Sequence, residues 1–231
     1  MNTNTSTQTG LRALPMALAA AAAIVGVSVP APTAAPAPRV ITTSCDAAAL
    51  PAPYQSVDPC NSDAVSCAAL SAMFTWNPAS DPNPAAAYAR AQPLIAAGGL
   101  HSPDGAPQQP FDAAADMGFD TSTAWHDATE HSSALVAYTT RRSQGATGAN
   151  ALFDITQYRY ATDAVDAQGN PKPGAAPTAA AWHWWATTIT VIGADGGRRV
   201  STVTQYSPTS HAPATQAPPD PATRWSCQQP N

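Results

Sequence analysis

The sequence predicts an α+β fold in which N-terminal helices pack on a curved antiparallel sheet. Three observations carry it. Between residues 64 and 97 the apolar positions recur at helical spacing. After residue 131 the pattern changes to runs rich in β-branched and aromatic residues. Asp195-Gly196 separates the last two runs as a hairpin signal. Helices first and a meander of long strands after argue for helices covering one face of one sheet.

The elements follow in order. A first helix fits 64–76 (AVSCAALSAMFTW), with Val65, Leu70, Met73 and Phe74 near one face, Asp63 or Ser62 as cap, and Asn77-Pro78 as the stop. A second fits 84–97, with Pro84 in the first turn, Gly98-Gly99 as the stop, and Pro93 predicting a kink or break. Residues 101–119 read as an irregular loop. A short helix at 123–130 turns Trp125 inward. Strands are expected at 133–142, 151–162, 178–192 and 198–206. In the third, alternation places His183, Trp185, Ile189 and Val191 on one face and Trp182, Trp184, Thr188 and Thr190 on the other.

Composition limits partners and place. The chain has 231 residues, a formal net charge of −5 and only 11% charged residues, against about a quarter in ordinary globular domains. Lys172 is its single lysine, and no cluster of Lys and Arg exists to engage phosphates, so no nucleic-acid partner is expected. Residues 1–29 read as a signal peptide or N-terminal membrane anchor, because 14–29 is apolar throughout and Arg12 precedes it. A Pro/Ala-rich linker (30–59), a core domain (60–206) and a Pro-rich tail (207–231) complete the organisation. Everything after the apolar segment is expected to be exported.

The four cysteines, Cys45, Cys60, Cys67 and Cys227, fit export. They lack metal-ligand spacing, so no metal is expected, and an even count outside the cytosol suggests two disulfides. Three pairings are possible. Cys60–Cys67, with Cys45–Cys227 tying the tails together, is the favoured one, because Cys60 precedes a helix start and Cys67 lies about one turn inside it.

Catalytic chemistry has few places to sit. No Gly-x-Ser-x-Gly elbow or phosphate-binding glycine pattern occurs, and no cofactor is implied. His126, Asp127, Glu130 and His131 form one dense titratable cluster, where Asp127/His131 and His126/Glu130 are each four apart on a helix. The blander and preferred reading is a polar, solvated last turn leading into a strand, with His near the helix C-terminus where positive charge is favoured. His183 stands among Trp182, Trp184 and Trp185, with Asp154 on the neighbouring strand as its possible partner. If its face is concave, His183 points into an aromatic cavity able to hold a ligand; the bland alternative is a histidine hydrogen-bonded to backbone. Arg141-Arg142 and Arg198-Arg199 form a basic patch if their strands are adjacent.

Particular residues also carry a resemblance. Residues 74–78 (FTWNP), Tyr88 to Leu94 on the second helix, Trp125 before the first long strand, and the final pair 187–192 and 195–200 together resemble the nuclear transport factor two-like (cystatin-like) superfamily, in its actinobacterial exported or membrane-anchored form. Arg198 stands where those families often carry Trp. The resemblance covers roughly 64–206 and implies a cone-shaped fold. It also implies a non-enzymatic accessory role in secretion, conjugation or transport assemblies, with another cell-envelope protein as partner. Other members of the superfamily use the cone for cyclase or dehydratase chemistry with an Asp/His pair, or for small apolar ligands; here that pair would be Asp154 and His183.

Overall fold

A computed structural model describes residues 45–108, 121–142, 150–206 and 220–227. Its centre is a four-stranded antiparallel meander, β3 (Ser133–Arg141), β4 (Asn150–Ala161), β5 (Ala179–Ile192) and β6 (Arg198–Tyr206), in the spatial order β3-β4-β5-β6. The β5–β6 turn forms where Asp195-Gly196 predicts it. Gly196 sits at φ +81°, and Gly193 N–H donates to the Gly197 carbonyl at 2.7 Å. Bulges interrupt the ladder between Gln157 and Tyr158 and between Ile189 and Thr190.

Ahead of the sheet lie α1 (Ser62–Met73), α2 (Ala85–Ala91), a short hairpin of β1 (Leu100–His101) and β2 (Pro107–Gln108), and α3 (Thr121–Glu130). The cap of α1 is Asn61, one residue ahead of those expected: its side chain accepts from the Asp63 and Ala64 amides. Every residue from Val65 to Met73 is buried, because α1 lies against the sheet on one side and other chain segments on the rest. Pro93 breaks the second helix as expected. The α-helix ends at Ala91, a single 3-10 turn follows over Gln92–Leu94, and the chain leaves through a parallel bridge from Ile95 to Val200. The loop expected from 101 onward begins instead with the β1–β2 hairpin, whose Ser102–Ala106 turn is closed by a backbone bond of 2.8 Å.

The two sheet faces differ. Leu135, Ala137, Phe153, Ile155, Trp182, Trp184 and Ala186 face α1 in the main core. Buried Gln157 is fully used there: its amide donates to the Phe74 carbonyl at 2.6 Å and its oxygen accepts from the Trp184 indole at 2.8 Å. On the other face Ala134, Val136, Tyr138, Tyr158, Tyr160 and Val165 form a second, smaller cluster, which Ala175 and Ala180 help cover. The rest of that face, which carries Asp154, Thr156, His183 and Trp185, is half-buried.

Three expectations are corrected. The disulfides are Cys45–Cys60 and Cys67–Cys227, with Cα separations of 5.7 and 5.3 Å. Cys67 is the sixth residue of α1, nearly two turns in, so helical rise puts it about 10 Å from Cys60, beyond disulfide reach. The linker reading fails for residues 45–59, where Leu50, Tyr54 and Val57 are buried against the core. The tail reading fails for residues 220–227, where Arg224 and Trp225 are buried. The apolar segment 14–29 and the Pro/Ala-rich stretch that follows it to residue 44 lie outside the described residues. Among the described residues no helix is long and apolar enough to cross a membrane. The paired cysteines fit an oxidising, extracytoplasmic environment.

Candidate functional site

Strand alternation builds the site on that half-buried face. Asp154 of β4 stands opposite Trp185 of β5, and His183 opposite Thr156, so Asp154 and His183 are diagonal neighbours on one face. The His183 ring nitrogen Nε2 lies 3.0 Å from Asp154 Oδ1, which realises the pairing expected from sequence. Arg142, just past the end of β3, brings Nη1 to 3.6 Å from the same carboxylate oxygen. Its guanidinium carbon sits 4.2 Å above the Trp185 ring, and the His183 ring meets that ring edge-on at 6.1 Å.

The four residues expected around one cavity do not share a face. Trp182 and Trp184 stack at 5.6 Å inside the main core, while His183 and Trp185 point the other way. The tryptophans also differ in hydrogen bonding. Trp76 donates to the Met73 carbonyl, Trp182 to Asp127 and Trp184 to Gln157. The Trp185 indole N–H is shielded from solvent and has no partner among the described residues. A shielded donor left unsatisfied is uncommon enough to need a reason.

The other titratable cluster is structural. Asp127 accepts from Arg159 at 2.6 Å and from the Trp182 indole at 3.3 Å, and His131 lies 3.2 Å from it across one helical turn. It therefore ties α3 to β4 and β5. His126 and Glu130 pair at 3.6 Å in full exposure. The basic patch does not form: β3 and β6 are opposite edges of the sheet, and Arg141, Arg142 and Arg199 pair separately with Asp63, Asp154 and Asp195.

Arg224 is the residue that sequence reasoning missed. It is 1% exposed. Its guanidinium donates to the Gly169 carbonyl, Asn170 Oδ1, the Ser71 carbonyl and Thr75 Oγ1, with the last three bonds at 2.9, 3.4 and 2.7 Å. It lies 4.1 Å over Trp225, whose ring meets Tyr54 edge-on at 5.0 Å. Burial lowers the Arg224 pKa to about 10 and raises the Tyr54 phenol to about 12. Burial also raises Tyr138, Tyr158 and Tyr160, with the Tyr160 hydrogen bond adding to the effect at Tyr138. The one available signal was an Arg-Trp pair two residues ahead of Cys227 in an otherwise Pro-rich tail.

The fold and site together define a disulfide-braced α+β domain with a half-buried cluster of Arg142, Asp154, His183 and Trp185 on one sheet face. Comparison with protein-family models, curated proteins and solved structures finds no match.

Proposed function

We propose that the chain is an exported, non-enzymatic accessory domain that docks another cell-envelope protein through the half-buried sheet face bearing Arg142, Asp154, His183 and Trp185. The observation that carries this is Trp185: a large, half-buried aromatic under an arginine, whose indole N–H has no acceptor among the described residues. Tryptophan and arginine are the side chains that most often anchor protein interfaces, and a partner carbonyl would satisfy the donor. The resemblance to cone-shaped accessory domains points to the same role.

With a photo-crosslinking side chain at Thr156, the exported protein should capture one envelope protein in stoichiometric amount. Trp185→Ala should abolish capture, and the same crosslinker at exposed Glu130 should capture nothing. Equal capture from both positions, or capture indifferent to Trp185, overturns the reading.

A second reading rests on the 3.0 Å Asp154–His183 bond, which holds an imidazole as an acid–base group needs to be held. In that reading the face holds or transforms a small molecule. Asp154→Asn would then abolish turnover or small-molecule binding while crosslinking stayed intact.

A further inference from the structure

The last described segment, residues 220–227, meets the described part of the domain mainly through side chains. Its backbone hydrogen bonds run within itself: Thr223 N–H to the Asp220 carbonyl, Arg224 N–H to Pro221 and Ser226 N–H to Thr223. Its contacts with the rest of the fold come through side chains, chiefly Arg224, Trp225 and Cys227. Of these, Arg224 is an uneasy anchor. A guanidinium removed from water is expensive unless an anion compensates it. Here all four acceptors are neutral, Nε has no partner among the described residues, and the compensating carboxylate of Asp166 acts from beyond ion-pair distance.

We infer that residues 220–227 form a strap whose closure depends on the Cys67–Cys227 bond, so that reduction frees Arg224 while the sheet and helices stay folded. Freed, the strap leaves a cleft lined by the Gly169 and Ser71 carbonyls, Asn170 Oδ1 and Thr75 Oγ1, beside Tyr54. These acceptors lie in a loop, at the end of α1 and just after it, so an empty cradle also unties 166–170 from the helix.

The chemistry balances with a dithiol reductant. One thiolate attacks the Cys227 sulfur, which is partly exposed, and Cys67, fully buried, leaves as thiolate. The second thiol of the reductant then displaces Cys227, and the reductant departs as a cyclic disulfide, its two electrons and two thiol protons left on Cys67 and Cys227. Closure after export is the reverse, with a disulfide-bearing oxidant of that compartment accepting the two electrons and the two thiol protons and leaving as a dithiol.

Trypsin reads the strap directly, because the Arg224–Trp225 bond is a tryptic site buried when the strap is shut. The full chain is digested briefly at about 15 °C, near the usual stability maximum of a domain, with and without dithiothreitol, and fragments are weighed. Cleavage after Arg224 should rise at least tenfold on reduction. Cleavage after Arg159, which lies in the central strand β4 and reports unfolding of the sheet, should not change. Without reductant, the double variant Cys67→Ser with Cys227→Ser should behave as reduced protein. Cys45→Ser with Cys60→Ser should behave as oxidised protein. Reduced protein that still resists at Arg224 would show that Arg224 and Trp225 hold the strap unaided, and would overturn the inference. Parallel rises at Arg224 and Arg159 would overturn it too, since the strap would then be inseparable from the fold.

Discussion

Tyr54 shows how one side chain sets a pH response. It is 1% exposed and donates its phenolic hydrogen to the Arg90 carbonyl at 2.8 Å. Burial holds its pKa near 12, against an ordinary value of 10.0. Below pH 10 the phenol is protonated in folded and unfolded chains alike, and its contribution is complete. From pH 10 to 12 the unfolded chain gives up the proton first, so stability falls as pH rises. Arg224 acts in the opposite sense over the same window, because its lowered pKa lets the folded chain lose a proton first. Tyr138, Tyr158 and Tyr160, all raised, side with Tyr54 and outnumber Arg224. Urea midpoints should therefore drop between pH 9.5 and about 11.5. In Tyr54→Phe the drop should be shallower, by at most about 3 kcal/mol over two pH units. A slope identical to that of the parent chain would show that Tyr54 does not titrate with folding.

At the scale of elements, the loop between β4 and β5 offers a matched pair of glycines. Gly169 and Gly174 both adopt left-handed backbone, at φ +82° and +79°. A Cβ at Gly174 would meet nothing within 4 Å, whereas one at Gly169 would lie 2.8 Å from Thr75 Cγ2, inside the Arg224 cradle. Gly174→Ala should thus cost only the backbone term of about 1 kcal/mol. Gly169→Ala should cost that plus the displacement of Thr75, at least about 1 kcal/mol more, and chemical denaturation of the two variants should resolve the difference. Equal losses would mean that Thr75 moves freely. The same loop shows where sequence reading stops. The strands were legible because β-branched and aromatic residues alternate over long runs, and the β5–β6 turn because Asp195-Gly196 announces it. The Asp154–His183 pair followed from alternation on neighbouring strands. The Arg224 cradle was not legible: its acceptors are main-chain carbonyls and small polar side chains from residues 71, 75, 169 and 170, brought together only by tertiary packing. Residues 45–59 read as linker because Leu50, Tyr54 and Val57 have no period, although each finds a place in the core.

For the whole molecule, the two disulfides constrain very different lengths of chain. Cys45–Cys60 closes a separation of 15 residues, and Cys67–Cys227 one of 160. In the chain-entropy account a cross-link stabilises by restricting the unfolded ensemble, and the benefit grows with the logarithm of the loop. That gives about 3 kcal/mol for the short closure and about 5 kcal/mol for the long one. The native side of the balance points the same way. Cys45–Cys60 braces the entry to α1 at the domain's border, where local turns such as Tyr54 N–H to the Pro51 carbonyl also hold the chain. Cys67–Cys227 reaches from the buried face of α1 to a strap whose other anchors include the hydrogen bonds of Arg224 to neutral acceptors and an aromatic contact. Replacing each pair by serines should therefore lower the guanidinium midpoint for both variants, with the larger drop for Cys67/Cys227. The unfolding slope should steepen in both, and more for the long closure, because the unfolded chain becomes less compact when freed. A larger loss from the Cys45/Cys60 replacement would place the critical constraint at the N-terminal loop, with Leu50, Tyr54 and Val57 as the contacts that depend on it.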